Sequence, residues 1–182
     1  MPTELPSSTP PAGEDPVASR RNFVAAAVTV AAAAGAAGDG GSAQAQSRAD
    51  VRFLNPAGMA TPATYTHVVE VNGPHRSVYI AGQTGVDANG KLADGFHAQA
   101  VQVMENIKTA LAAVGGSFDH VVKLNSYLTD IAANAQTFRE VRDGYVNKTA
   151  RPAATLVQVT RLAQPGYLIE VEAIAVLPAR AL

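Results

Sequence analysis

The chain has 182 residues, no cysteine, no tryptophan and a formal net charge of −1. Without cysteine there is no disulfide framework, thiolate metal site or cysteine nucleophile, and the near-neutral balance offers no basic face for nucleic-acid phosphates. The length suggests one domain plus an extension, and the 47% hydrophobic fraction is inflated by alanine near the N-terminus.

Residues 1–45 read as an address. Met1 to Ser19 is rich in Pro, Ser and Glu, a composition that favours disorder. Ser19-Arg20-Arg21-Asn22-Phe23-Val24 follows, then an alanine-rich apolar run to Ala37, a glycine patch at Gly38-Asp39-Gly40-Gly41, and Ala43-Gln44-Ala45. That order resembles a bacterial twin-arginine export signal cleaved after Ala45. The plainer reading is an alanine-rich amphiphilic helix or a retained anchor. The run is shorter than the roughly 20 residues that cross a bilayer. The expectation is therefore an exported protein, periplasmic or extracellular, with no stable membrane span after processing. Removing this segment leaves the charge close to neutral, which points to a small-molecule or protein partner.

Residues 46–63 show little periodicity, and Pro56, Gly58 and Pro62 predict an irregular arm. Residues 64–182 form the expected domain. Alternation over Tyr65–Val71 predicts a strand, Asn72 to Arg76 a turn, and Ser77–Gly82 a second strand, the two making a hairpin. Asp87-Ala88-Asn89-Gly90 predicts another turn, with positive φ favoured at the Asn-Gly pair.

Phe96–Val114 carries Ala100, Met104, Ile107, Leu111 and Val114 at helical spacing, an apolar stripe. Gly115-Gly116 ends it in the manner of a left-handed cap. A short turn at Asp119–Lys123 leads into a strand at Val122–Leu128. Capping residues in Asp130–Asn134 precede a second helix, about Ala135 to Tyr145. Two C-terminal strands, one over Arg151–Val157 and one over Tyr167–Val176, flank Gln164-Pro165-Gly166 and read as a hairpin.

The order is β-β-α-β-α-β-β, an α+β fold with one mixed sheet and two helices on one face. On the last strand Glu170, Glu172, Ile174 and Val176 share a face. Its apolar part predicts burial against another subunit.

His67, His75, His97 and His120 lack metal-ligand spacing and read as surface or turn residues. No metal and no organic cofactor is expected. Ala81-Gly82-Gln83-Thr84-Gly85 suits a ligand pocket lined by backbone N–H groups, or a strand end that must pack tightly. Glu170 and Glu172 suit either a solvated strand face or a site where a glutamate beside apolar neighbours orients or deprotonates a water.

In order and spacing these pieces resemble the Rid family, the reactive-intermediate deaminases. The resemblance runs from about Tyr65 to Val176. It rests on Ala81-Gly82-Gln83, Asn106-Ile107 with Gly115-Gly116, Asp119-His120-Val121-Val122-Lys123, Tyr127-Leu128-Thr129-Asp130, and Arg151-Pro152-Ala153 with Ile169-Glu170-Val171-Glu172-Ala173-Ile174-Ala175. It implies a chorismate-mutase-like fold, a homotrimer with ligand clefts between subunits, and cofactor-free hydrolysis of reactive enamines and imines to carbonyl compounds and ammonia.

By the same resemblance the catalytic glutamate falls on Glu170 and the cleft tyrosine on Tyr65. The family's serine before Gly-Gln is Ala81, followed by Gly82. Its carboxylate-binding arginine falls on Ala154, and its frequent cysteine two residues later on Leu156. Loss of one partner of a desolvated charge pair costs about 2–5 kcal/mol, so ordinary 2-imino acids are expected to be poor substrates unless another cation substitutes. Arg142 is the first candidate and Arg151 the second; each reads equally as a surface arginine. The alternative function is a non-catalytic metabolite-binding module on the same trimeric scaffold.

Overall fold

A computed structural model describes residues 50–180. The elements are β1 (Asp50–Leu54), β2 (Val68–Asn72), β3 (His75–Thr84), α1 (Gly95–Ala113), a 3-10 turn (Phe118–His120), β4 (Val121–Leu128), α2 (Ile131–Asp143), β5 (Ala153–Gln158) and β6 (Ile169–Pro178). The main sheet has the order β3-β6-β4-β5. β6 runs antiparallel to both β3 and β4, while β4 and β5 are parallel. A parallel pair needs a crossover, and α2 provides it.

Two helices on one face of a mixed sheet is the architecture the sequence predicts. The core lies between them: Val103, Met104, Ile107 and Leu111 of α1 and Phe138 of α2 pack with Leu124, Leu128, Ile169, Val171, Ala173 and Leu177. Alternation explains the rest of β6. Its odd-numbered residues from Ile169 to Leu177 are buried, and Glu170, Glu172 and Ile174 face the other way, half-buried.

Local signals hold where they are short-range. Asp130 caps α2, its carboxylate accepting from the Ala133 N–H at 3.0 Å. Gly115 adopts φ 77° after α1, and Gly90 adopts φ 80° in its turn. Three of the four histidines serve local roles: His120 caps the 3-10 turn through Ser117, and His67 and His75 bond nearby backbone carbonyls.

Three expectations are corrected. The arm at 46–63 contains β1, which pairs with β2 and adds a strand to the order. Its five residues carry too short an alternation to register, and the Arg52–Glu70 ion pair at 2.9 Å joins it to a strand distant in sequence. Second, the early hairpin does not form, because β2 pairs with β1 while β3 joins the main sheet. The strand also starts later than expected. Tyr65 to His67 lie outside it, held by Thr66 N–H on Pro152 O at 3.3 Å and His67 N–H on Asn55 Oδ1 at 3.0 Å. Third, β5 and β6 are not a hairpin: β4 lies between them. The segment 159–168 is a crossing connection, and a tight-turn signal cannot show which strand intervenes.

Candidate functional site

β3 and β6 pair in register from His75 with Pro178 to Ile80 with Ala173, and resume at Gln83 with Val171. Ala81 and Gly82 therefore face Glu172 alone, a β-bulge that kinks the strand. The missing Cβ of Gly82 leaves room for Glu170. A Cβ built there would lie 2.7 Å from Glu170 Cδ and 3.0 Å from its Cγ, and would collide with Oε1. The tight-packing reading of Ala81–Gly85 holds at both glycines. Gly82 clears space for a carboxylate, whereas Gly85 packs on Gln99, where a Cβ would meet the Gln99 Cα at 2.7 Å.

The two glutamates differ in their partners. Glu172 accepts from Asn125 Nδ2 and from Tyr127 O–H, each at 3.3 Å. No such donor bonds Glu170 among the described residues; its carboxylate rests against the Gly82 backbone. Glu170 pairs in register with Tyr127 on one side and Thr84 on the other. Burial, the charge and hydrogen bond of Glu172, and the charge of Glu170 all raise the Tyr127 pKa above its ordinary 10.0. Tyr127 thus stays a neutral hydrogen-bond donor. Farther along this face Lys123 Nζ donates to Thr155 Oγ1 at 2.8 Å, and Tyr79, paired with Ile174, is 77% exposed.

Polar side chains of α1 fix the backbone around Glu170. Gln99, 2% exposed, donates to Gly166 O and accepts from the Leu168 N–H, both at 2.9 Å. Asn106 Nδ2 donates to Thr84 O at 3.1 Å and Val86 O at 2.9 Å. The segment entering β6 and the exit of β3 are therefore tied to one helix. Asn106 is within the motif noted in the sequence; Gln99 gives no signal, since a polar residue beside an apolar stripe usually faces water.

Ala154 and Leu156 pair with Leu124 and Ser126, both buried on the helix side of the sheet. By alternation they face away from Glu170. Tyr65 is next to Thr66, whose N–H bonds Pro152 O, so it sits near the start of β5. A single chain thus assembles Glu170, Ala81 and Gly82, and separately gathers Tyr65 near Ala154; it does not place the two groups on one face.

Neither candidate arginine is a surface residue. The Arg142 side chain is 7% exposed and that of Arg151 17%. Arg142 Nη2 and Arg151 Nη1 bond the same oxygen, Asp143 Oδ1, at 2.7 and 3.0 Å, and Arg151 Nη2 bonds Oδ2 at 3.2 Å. The reason is local. Arg142 follows Phe138 by four residues, so both point inward from α2. Burial pulls the Asp143 carboxyl upward, but the hydrogen bonds from Arg151 and Arg142 outweigh it and hold its pKa below the ordinary 3.8.

A separate cleft of about 750 Å³ opens on the helix side, lined by Glu105, Lys108, Phe118, Asp119 and Tyr145 among others. None of the sequence-predicted site residues lines it. Tyr145 O–H donates to Glu105 Oε1 at 2.9 Å, and burial together with that bond pushes the tyrosine pKa up to about 12. No cluster of metal-ligating side chains occurs among the described residues.

Comparison with known proteins agrees with this geometry. Residues 56–177 match the family model described as Endoribonuclease L-PSP. Protein HMF1 of Saccharomyces cerevisiae is 40% identical over 117 residues, 64% of this chain and 86% of the yeast protein. Protein DfrA of Myxococcus xanthus is 39% identical, over 62% of this chain and 84% of its own. Among solved structures, a Rid-family protein of unknown function from Yersinia pestis, YyfB, superposes with a TM-score of 0.61 at 33% identity, covering 70% of this chain and 98% of that one. RidA from Psychrobacter gives a TM-score of 0.52 at 38% identity, with 68% and 96% covered. With its bulged β3, its Glu170 strand and its two-helix layer, the chain belongs to the Rid family, whose model is described as Endoribonuclease L-PSP.

Proposed function

We propose that this is a Rid-like small-molecule-binding protein that hydrolyses reactive imines or enamines. The observation that carries the reading is the placement of Glu170: a carboxylate free of competing donors among the described residues, seated at a bulge where Gly82 gives it room. In the reaction a water adds to the carbon of C=N while Glu170 takes its proton. Glu170 returns that proton to the nitrogen, the proton of the new hydroxyl follows as the C–N bond breaks, and ammonia leaves the carbonyl behind; an enamine first gains a proton on carbon, which makes it the imine. Tyr127 and Asn125 occupy the neighbouring Glu172, which keeps the roles of the two carboxylates apart.

The reading includes a homotrimer with clefts between subunits. Two features support it: exposed Tyr79 on the open sheet face, and the separation of Glu170 from Ala154 and Leu156, which a cleft shared by two chains would reunite. It also includes an atypical substrate preference, because Ala154 supplies no guanidinium. RNA fits poorly as substrate, since its phosphates would meet the carboxylates of Glu170 and Glu172. The twin-arginine reading of residues 1–45 lies outside the described residues. Export remains part of the proposal, and N-terminal sequencing of secreted protein tests it, an intact Met1 counting against cleavage after Ala45.

The deciding experiment measures ammonia release from freshly generated 2-iminopropanoate and 2-iminobutanoate, with sedimentation for the trimer. Turnover lost in Glu170→Gln is expected. Ligand binding that survives Glu170→Ala, without turnover of any imine, would favour the non-catalytic module instead.

A further inference from the structure

The helix-side cleft is separate from the sheet face that carries Glu170. Its volume of about 750 Å³ is that of a small-molecule site, which typically spans about 300–1,000 Å³. One end of each helix borders it: Ala112 lies in the last turn of α1, and Gly144 directly follows α2. Phe118 and Tyr145 build an aromatic wall, their rings 5.4 Å apart and tilted by 56°. Phe118 belongs to the core and is 8% exposed, so that side of the wall is fixed. Tyr145 is held at its other end, where its hydroxyl donates to Glu105 Oε1 at 2.9 Å.

The charges around the cleft do not balance. Glu105 and Asp119 bring two carboxylates against the single ammonium of Lys108, so one negative charge is left over. Lys108 Nζ is committed to Glu105, 3.1 Å from Oε2 and 3.3 Å from Oε1. The hydrogen bonds from Tyr145 and Lys108 hold the Glu105 carboxyl below its ordinary 4.5. Asp119 has no cation within ion-pair distance among the described residues. Its Oδ1 accepts from Asn147 Nδ2 at 3.2 Å, which orients the group, and its Oδ2 makes no hydrogen bond among those residues. The end of α1 adds to the imbalance, since a helix C-terminus carries partial negative charge that a cation offsets. The last turn of α1 contains no basic residue. On an open surface water alone would satisfy Asp119; beside an aromatic wall the same carboxylate is one half of a two-part site.

We propose that this cleft binds a small organic cation, a protonated primary amine carried on an aromatic or apolar body. The ammonium meets the Asp119 carboxylate, and the body lies along Phe118 and Tyr145. An ammonium brings three donors to a carboxylate with acceptor capacity to spare, and aromatic faces attract cations. An anion of the same shape meets the charge left over and is repelled. No residue of β3 or β6 lines the cleft, so binding here leaves the Glu170 face open and does not depend on hydrolysis.

The test titrates the full chain with 2-phenylethylamine, using 2-phenylethanol as the neutral counterpart and phenylacetate as the anionic one. Calorimetry gives the affinity, and the backbone amide resonances of Gly116, Ser117 and Gly144 report the place. A saturable response to the amine that shifts those resonances is expected, at least tenfold tighter than for the alcohol or the acid. Asp119→Asn should weaken the amine at least fivefold. Lys108→Gln should tighten it at least twofold, because the competing ammonium is gone. Both side chains are exposed, and should Asp119→Asn fail to fold, Lys108→Gln still decides by the sign of its effect. Glu170→Gln should bind the amine as the unaltered chain does. No saturable response, equal affinity for the alcohol, undiminished affinity in Asp119→Asn or weaker binding in Lys108→Gln overturns the proposal. Amine binding lost in Glu170→Gln also overturns it, because the amine would then sit on the sheet face.

Discussion

Gly82→Ala separates catalysis from stability more cleanly than removal of Glu170. The new methyl would collide with Glu170 Oε1 and sit 2.7 Å from Cδ. Cδ would need to retreat by about 0.7 Å to reach ordinary contact at 3.4 Å, and the oxygen by more. What moves is the far end of a flexible side chain on a half-buried face, so the cost should be one off-rotamer torsion, about 0.5–1.5 kcal/mol. The backbone is not strained, since Gly82 is not among the glycines with positive φ. Misplacing a catalytic group by about 1 Å can cost 10²-fold in rate. The expected result is a fall of about a hundredfold in kcat/KM for ammonia release from 2-iminobutanoate, with Tm lowered by only a few degrees. A Gly82→Ala protein that keeps its full rate would refute the placement of Glu170 as the group that handles water. A large loss of stability would refute the view that only a side-chain end is displaced.

Further outcomes follow from the supporting contacts. Gln99→Leu removes the partner of the half-buried Leu168 N–H and of the Gly166 carbonyl, which is exposed and can turn to water; at about 1–3 kcal/mol for one unpaired group, denaturant unfolding should show a loss of that size, and near-normal stability would contradict the clamp. Asp143 has a depressed pKa in the folded chain, so its contribution is complete above the ordinary 3.8 and disappears as pH falls through the lower folded value. Between pH 7 and strongly acid solution Asp143→Asn should therefore lose less stability than the unaltered chain, measured by urea midpoints. Tyr145 is displaced the other way: its contribution is intact below 10.0 and lost as pH rises through about 12. Tyrosinate absorbance should show a late step near pH 12 that Tyr145→Phe removes; a titration complete well below that would contradict the Glu105 bond.

Periodicity and capping are local, and whatever depends on them could be read straight from the chain. The alternation of β6 assigned Glu170, Glu172 and Ile174 to one face, the stripe from Ala100 to Leu111 defined α1, and Asp130 and Gly115 marked helix ends. The family motif added Glu170 as the better of two glutamates. Strand pairing is not local, and it emerges only when the chain is folded. Whether β6 neighbours β5 or β4, and whether β2 joins β3 or β1, depends on which partners bury the most apolar surface, and a turn signal carries none of that. The site divides in the same way. Glu170 could be chosen from a strand pattern, but Gly82 as the space it occupies required the bulge register. Arg142 and Arg151 could be read as substitute cations or as surface residues; only helix phase turned Arg142 inward, and only the path into β5 brought Arg151 onto the same aspartate. Charge on a side chain is visible in a sequence; the carboxylate that shares it is a property of the folded chain.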